Sequence, residues 1–516
     1  MSAAVRTRAP LPLIAVAGFS ALLAAIPLIY LGVRIADAGL DGVLAVFARP
    51  RLGLLLVNTL LLAASVTIAS TVVGVAGALV LSRVRIPFPR VLAVVAVLPL
   101  AVPSYLVAFG WLAAFPGVNG FWPSWLVLTV VTTPYVLLPV AAALRGTSAT
   151  LAEVARTLGY GPVRTFTAVV WPGIRSSAVA GALLVCLYVL ADFGGVALFR
   201  FPVLTTAIHQ AYGASFDRNY AAVLAAVLVA IALVIFLLDR RLRPARETSV
   251  ARSDARAKVD WGSYTSLAVV VLALPAVLAV GVPLTSLLAR LWSAQAVREV
   301  DVVGLAQAAG NTIALSAAGA VIAVLLALPI ATISARFPGR AARILEGAGS
   351  LPLAVPGIVV GLGLVFFSLL AVPALYQSAV MLAFAYGVLF LPKAIGTIRS
   401  SFERVPRELE EVASTLGYSA FRRWWHITAR LARPGIVVAT LFIAVTAMKE
   451  LPATLMLRPT GTNTLAIELW AKTDIAAYGA AVPYALALVL LAAVPAVLLS
   501  PRSERISTGT SEGREE

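Results

Sequence analysis

Three ionisable side chains interrupt long apolar stretches of this chain: Asp192, Lys449 and Glu450. A charge placed in hydrocarbon is costly, so such groups face a protein interior or a water-filled path. Each lies about 15 residues past the cytoplasmic start of its apolar run, or roughly 22 Å at helical rise. That is the outer half of a membrane. Two readings follow. The groups form a Lys–Glu pair or an interface anchor, or they mark the outer mouth of a translocation path. Nothing nearby offers catalysis. There is no G-x-x-x-x-G-K-[ST] phosphate loop, no G-x-S-x-G and no H-E-x-x-H. His209 and His426 stand far apart without metal-ligand spacing around either, and the single cysteine, Cys186, has no partner for an intrachain disulfide. No catalytic residue, metal site or cofactor is expected.

The elements that carry these residues are apolar runs. The chain has 516 residues, 61% hydrophobic and 12% charged, about half the charge of a soluble domain. Twelve runs are long enough to span a bilayer as helices: 11–33, 52–81, 91–114, 124–144, 177–199, 219–238, 264–291, 308–334, 348–372, 376–396, 434–456 and 479–500. The first follows Arg6 and Arg8 but has no small-residue cleavage site after it, so it reads as an uncleaved span. With the N-terminus taken as cytoplasmic, 30 of the 40 Lys and Arg fall on the cytoplasmic side, nine fall outside and Lys449 lies in a span. Retained positive charge sets orientation, which puts both termini in the cytoplasm. It also explains the net charge of +17 without nucleic acid.

The chain repeats itself. EVARTLGY at 153–160 returns as EVASTLGY at 411–418, 258 residues on. Leu98-Pro99-Leu100-Ala101-Val102-Pro103 returns unchanged as Leu351-Pro352-Leu353-Ala354-Val355-Pro356, and Asn58-Thr59 as Asn311-Thr312, both at an offset of 253. Asp192 and Glu450 are themselves 258 apart. Six spans per half is an even number, so the halves are parallel repeats about an axis along the membrane normal. The expected division is a first half at 1–238, a cytoplasmic linker at 239–262, a second half at 263–500 and a cytoplasmic tail at 501–516. The prolines of LPLAVP are expected to kink or break the third and ninth spans, as a packing kink or as irregular backbone beside the path.

The repeated octapeptide falls between the fourth and fifth spans of each half, on the cytoplasmic side. Leu151, Val154, Ala155 and Leu158 make an apolar stripe at helical spacing. Thr147 or Ser148 suits the cap, Gly159 the stop, and Pro162 the first turn of a second helix. Pro406, Leu409, Val412, Ala413, Leu416 and Gly417 repeat this, with a second helix from about Ala420. Each copy is expected to be a helix-turn-helix outside the membrane, stable mainly when docked.

These loops resemble the EAA motif of ABC importer permeases. Glu153, Val154, Ala155, Gly159, Val169, Trp171 and Pro172 match in the first copy. Glu411, Val412, Ala413, Gly417 and Ile427 match in the second, which has Ala429-Arg430 where Leu-Pro is usual. The resemblance implies an all-helical type I importer permease. Its coupling residues would be Glu153, Ala155, Gly159, Glu411, Ala413 and Gly417. Its partners would be two copies of a cytoplasmic ABC ATPase and an extracytoplasmic solute-binding protein. Asp192 to Phe199, Lys449 to Leu455 and Leu457-Arg458-Pro459 resemble the ends of the fifth spans of fused iron(III) permeases. Thiamine permeases share the fused layout. An ion-coupled secondary transporter is the rival from another class, and it gives no reason for two EAA loops.

Overall fold

The computed structural model describes residues 9–146, 154–155, 157–213, 217–242, 262–291 and 301–498. Glu153, the expected caps Thr147 and Ser148, Leu151, linker residues 243–261 and the tail 501–516 lie outside the described residues.

The first half comprises α1 (Leu11–Phe47), α2 (Pro50–Arg83), α3 (Pro89–Val97), α4 (Ser104–Ala114), α5 (Phe121–Gly146), α6 (Pro162–Ala191), α7 (Gly194–Leu198), α8 (Leu204–Gly213) and α9 (Arg218–Leu242). The second comprises α10 (Gly262–Arg290), α11 (Val302–Arg336), α12 (Arg340–Gly349), α13 (Gly357–Ala371), α14 (Ala379–Glu403), α15 (Arg407–Thr415), α16 (Ala420–Met448), α17 (Pro452–Leu457), α18 (Leu465–Asp474) and α19 (Tyr478–Leu498). Among the described residues nine helices cross a bilayer unbroken by length and composition, α3–α4 makes a bent tenth, and α13 and α19 supply shorter apolar helices. In lipid a helix satisfies its own backbone groups, so long apolar runs settle as helices. Large apolar side chains such as Leu61, Ile68 and Val72 on α2 are exposed, as a lipid-facing surface requires.

Both LPLAVP copies break their spans. Leu98–Ala101 and Leu351–Ala354 each form a 3-10 turn, followed by an extended valine at Val102 (φ −103°, ψ 125°) and Val355 (φ −103°, ψ 118°). A residue before proline is driven out of helical backbone. The proline that follows donates no hydrogen bond. The chain then turns, and α3 with its 3-10 turn meets α4 at 94°.

The first helix of each half packs on the other half. A Cβ on Gly110 of α4 would meet Pro283 Cβ of α10 at 2.3 Å, and one on Gly363 of α13 would meet the Pro27 carbonyl of α1 at 2.3 Å. Gly110 and Gly363 are 253 apart, so the same close crossing is built twice. Ser286 Oγ and the Arg290 guanidinium, both on α10, donate to the Gly110 and Ala113 carbonyls. The Asn-Thr repeat also has a structural use. Asn58 donates to the Pro202 carbonyl and Asn311 to the Asn463 carbonyl, at 2.9 and 3.0 Å. Leu204 N–H donates to Thr59 Oγ1 and Leu465 N–H to Thr312 Oγ1, at 3.0 and 2.9 Å. These bonds satisfy free N–H groups at the starts of α8 and α18.

Candidate functional site

Asp192 ends α6 and opens α7. One carboxylate oxygen accepts from Ser104 Oγ, at the first residue after the LPLAVP break, and the other from the backbone N–H of Gly195 (3.1 Å) and Val196 (3.4 Å). Thr205 Oγ1 donates to the Asp192 carbonyl at 2.8 Å. The side chain is 8% exposed, and the positive start of α7 faces it. Asp192 is thus a buried clasp joining three pieces of broken helix. It stands at the start of one 11-residue helix, α4, about 16 Å from that helix's far end at helical rise.

Glu450 occupies the equivalent place. Ala453 N–H donates to its Oε1 at 2.8 Å, and Thr454 Oγ1 donates to its carbonyl at 2.8 Å. The residue equivalent to Ser104 is Gly357. A Cβ there would lie 2.8 Å from Glu450 Oε1. The longer acid therefore fills the space that serine occupies in the first half. The exchange of Ser with Asp for Gly with Glu keeps the clasp filled.

Lys449 reaches across the halves and donates from Nζ to the Ala101 carbonyl, at the end of the first 3-10 turn, at 3.0 Å. Tyr105 and Leu106 of α4 share a buried cluster with Leu451 and Leu465 of the second half. The three charged residues singled out in the sequence thus converge on the break at 101–105. The site also holds Lys393, which lies within α14 and not among the cytoplasmic loop charges, where the count of 30 above included it. It is half-buried, lies over the rings of Phe390 and Phe442, and interacts electrostatically with Glu450 and Lys449. A lysine within the apolar run 376–396 was the signal. Counting it among the 30 cytoplasmic charges obscured it.

Beside the clasp lies a cavity of about 640 Å³ lined by Phe193, Arg200, His209, Gln210, Trp470 and Asp474 among others. His209 stacks on Phe193 with ring centroids 5.0 Å apart. Among the described residues no three His, Cys, Asp or Glu side chains stand together as a metal site.

The EAA loops are elsewhere, about 45 Å of α6 away at helical rise. Gly159 and Gly417 both have φ +82°, where a β-carbon is strained. Tyr160 N–H bonds to the Ala155 carbonyl and Tyr418 N–H to that of Ala413, at 2.9 and 3.0 Å. That bond, with a left-handed glycine before it, is a Schellman stop. It explains why alanine, glycine and tyrosine recur in register. The expected single stripe divides. Ala155 and Ala413 are buried, while Val154, Leu158, Leu409, Val412 and Leu416 point outward. The expected separate second helix does not stand alone either. It continues as the next span, with π-helical turns at Phe166–Val170 and Trp424–Ala429. Glu411 is exposed. Its neighbour Glu410 holds the loop, pairing with Arg336 Nε at 2.9 Å and accepting from Thr428 Oγ1. Glu153 lies outside the described residues.

A helical membrane protein with two parallel halves, a charged helix break and two loops with exposed apolar side chains belongs to the class of transport permeases. The chain is a member of the family of binding-protein-dependent transport system inner membrane components, whose pattern matches residues 70–247 and again 321–500. It is a multi-pass inner membrane protein of the ABC permease type, and such systems work with an ATPase and a solute-binding protein. The Fe(3+)-transport system permease protein FbpB 2 of Haemophilus influenzae is 32% identical to it over 487 residues, 92% of this chain and 95% of that protein. The molybdenum transport system permease protein ModB of Mycobacterium tuberculosis is 30% identical over 192 residues, 35% of this chain and 72% of its own. A putative 2-aminoethylphosphonate transport system permease protein, PhnV, of Salmonella typhimurium is 33% identical over 161 residues, 30% of this chain and 58% of its own.

Proposed function

We propose that this chain is the translocating subunit of an ATP-driven iron(III) importer and is itself non-catalytic. The observation that carries this reading is the likeness to an Fe(3+)-transport permease along nearly the full length of both proteins. The two similar halves fused in one chain agree with it. In this reading residues 1–238 and 263–500 are the two permease halves, joined by a cytoplasmic linker at 239–262 and followed by a cytoplasmic tail at 501–516. Each half presents one loop to one copy of an ATPase, so two copies dock per chain. The exposed Leu158 and Val163 on one side, and Leu416 and Phe421 on the other, are apolar surface suited to that contact. Glu153, Ala155, Gly159, Glu411, Ala413 and Gly417 shape the contact. Closure of the two ATPase copies then draws the loops together, and the long helices α6 and α16 carry the movement to Asp192, Lys449 and Glu450 at the path. An extracytoplasmic binding protein delivers cargo above the outer cavity.

The test is uptake into proteoliposomes carrying the permease, its ATPase and its binding protein. ATP-dependent accumulation of ferric iron is expected. Accumulation of thiamine without iron would overturn the substrate, and iron uptake that persists without the ATPase would overturn the ATP-driven class. Topology has its own check: a cysteine at Ser419 is expected to label only from the cytoplasmic side, with both termini there.

A further inference from the structure

Two acids and two lysines stand around the breaks, and their hydrogen-bonding atoms are committed differently. Both acids are hydrogen-bonded within the scaffold, and Glu450 also interacts electrostatically with Lys393. Asp192 spends its two oxygens on Ser104 and on the start of α7, and Glu450 Oε1 is held by the start of α17. Both lysines retain donors. Lys449 uses one N–H on the Ala101 carbonyl, leaving two. Lys393 rests against the rings of Phe390 and Phe442. Among the described residues neither Nζ pairs with a carboxylate within salt-bridge distance. Both side chains are half-buried. Charged groups are retained inside membrane helices where a path or a ligand repays their desolvation. The first half makes no such provision: the residues 258 positions earlier are Tyr135 and Ala191. The two ammonium groups are therefore not part of the duplicated scaffold.

We infer, building on the iron(III) reading, that Lys393 and Lys449 form an anion site in the path. Iron then crosses as a complex whose oxyanion ligands, carboxylate or phosphate, keep it negatively charged. A bare trivalent cation would meet two ammonium groups that the nearby acids only offset. It would also lack a ligand set, since the described residues bring no three His, Cys, Asp or Glu together. An ammonium group meets carboxylate or phosphate oxygens through charge-assisted hydrogen bonds.

The test uses the full permease–ATPase–binding-protein complex in proteoliposomes. ⁵⁵Fe is supplied with [¹⁴C]citrate in one arm and with [³²P]phosphate in another, and both labels are followed. In at least one arm iron and anion are expected to accumulate together in a fixed ratio. Lys393→Gln and Lys449→Gln should each lower that uptake roughly tenfold or more, as loss of one charge-assisted contact implies. Lys393→Arg and Lys449→Arg should retain most of it, with thermal stability unchanged. Iron entering with neither anion label would overturn the anion site and leave the iron reading intact. An anion entering without iron would overturn the iron reading and support the site. Full uptake by the Lys393→Gln/Lys449→Gln double variant would also overturn the site.

Discussion

The two halves close the same break with different residues. The first uses a serine and a short acid, Ser104 and Asp192, with three donors converging on the carboxylate. The second uses no side chain at Gly357 and the longer Glu450, held by one backbone N–H at 2.8 Å. At positions 258 residues apart, the first half has Tyr135 and Ala191 where the second has Lys393 and Lys449. Duplication supplied the backbone break twice. Divergence then gave one copy an acid bonded by three donors and the other an acid flanked by two lysines. The difference teaches that pseudo-symmetry here is a property of the scaffold and not of the chemistry it holds.

The largest expected effect would break this comparison. Asp192→Ala removes the acceptor for three donors in a buried place, at a cost of about 2–4 kcal/mol. Glu450→Ala strips one backbone N–H and is expected to cost about 1–2 kcal/mol. Thermal unfolding of the purified permease measures both, and equal losses would contradict the asymmetry. Next comes a swap that sharpens it. Asp192→Glu in the presence of Ser104 overfills the clasp and should cost about 1–3 kcal/mol. Adding Ser104→Gly recreates the second half's solution and should recover at least about 1 kcal/mol as a coupling energy. Additive losses in that double-mutant cycle would sink the idea that the two pairs are interchangeable.

The loops allow the converse check, because there the halves agree. Gly159→Val and Gly417→Val each force a β-branched residue to φ +82°, which costs about 1–2 kcal/mol locally. Both should weaken ATPase binding to similar degrees, and the double variant more than either. Unchanged ATPase assembly and uptake in the double variant would refute a coupling role. The smallest effect distinguishes adjacent acids. Glu410→Ala loses a partly exposed ion pair with Arg336 and should cost about 1 kcal/mol. Glu411→Ala should change stability by less than about 0.5 kcal/mol, yet lower ATPase affinity in a pull-down titration. Loss of fold with normal docking would reverse their assignments.

Several features were legible because their causes are local. The apolar runs became helices because lipid leaves the backbone no other partner. LPLAVP became a break because proline excludes helical backbone before it and donates nothing after it. EVAxTLGY became a helix stop because only glycine takes φ +82° without strain, and the bond from tyrosine to alanine closes it. The apolar stripe was misread as one face. Periodicity shows which residues are apolar, but not that Ala413 turns to the bundle while Leu409 and Leu416 turn away.

What the sequence determined by itself was the membrane class, the duplication, the two broken spans and the two helix stops. Each follows from composition or from a few adjacent residues. Only the tertiary structure decided the rest. It placed Gly110 against Pro283 and Gly363 against Pro27, so that each half is wrapped by the other's first helix. It set Glu450 into the space above Gly357, brought Lys449 to the Ala101 carbonyl and put Lys393 beside both. These contacts join residues far apart in the chain, where no local pattern records them. Close packing, which admits one side chain and refuses another by a single carbon, is what selects them.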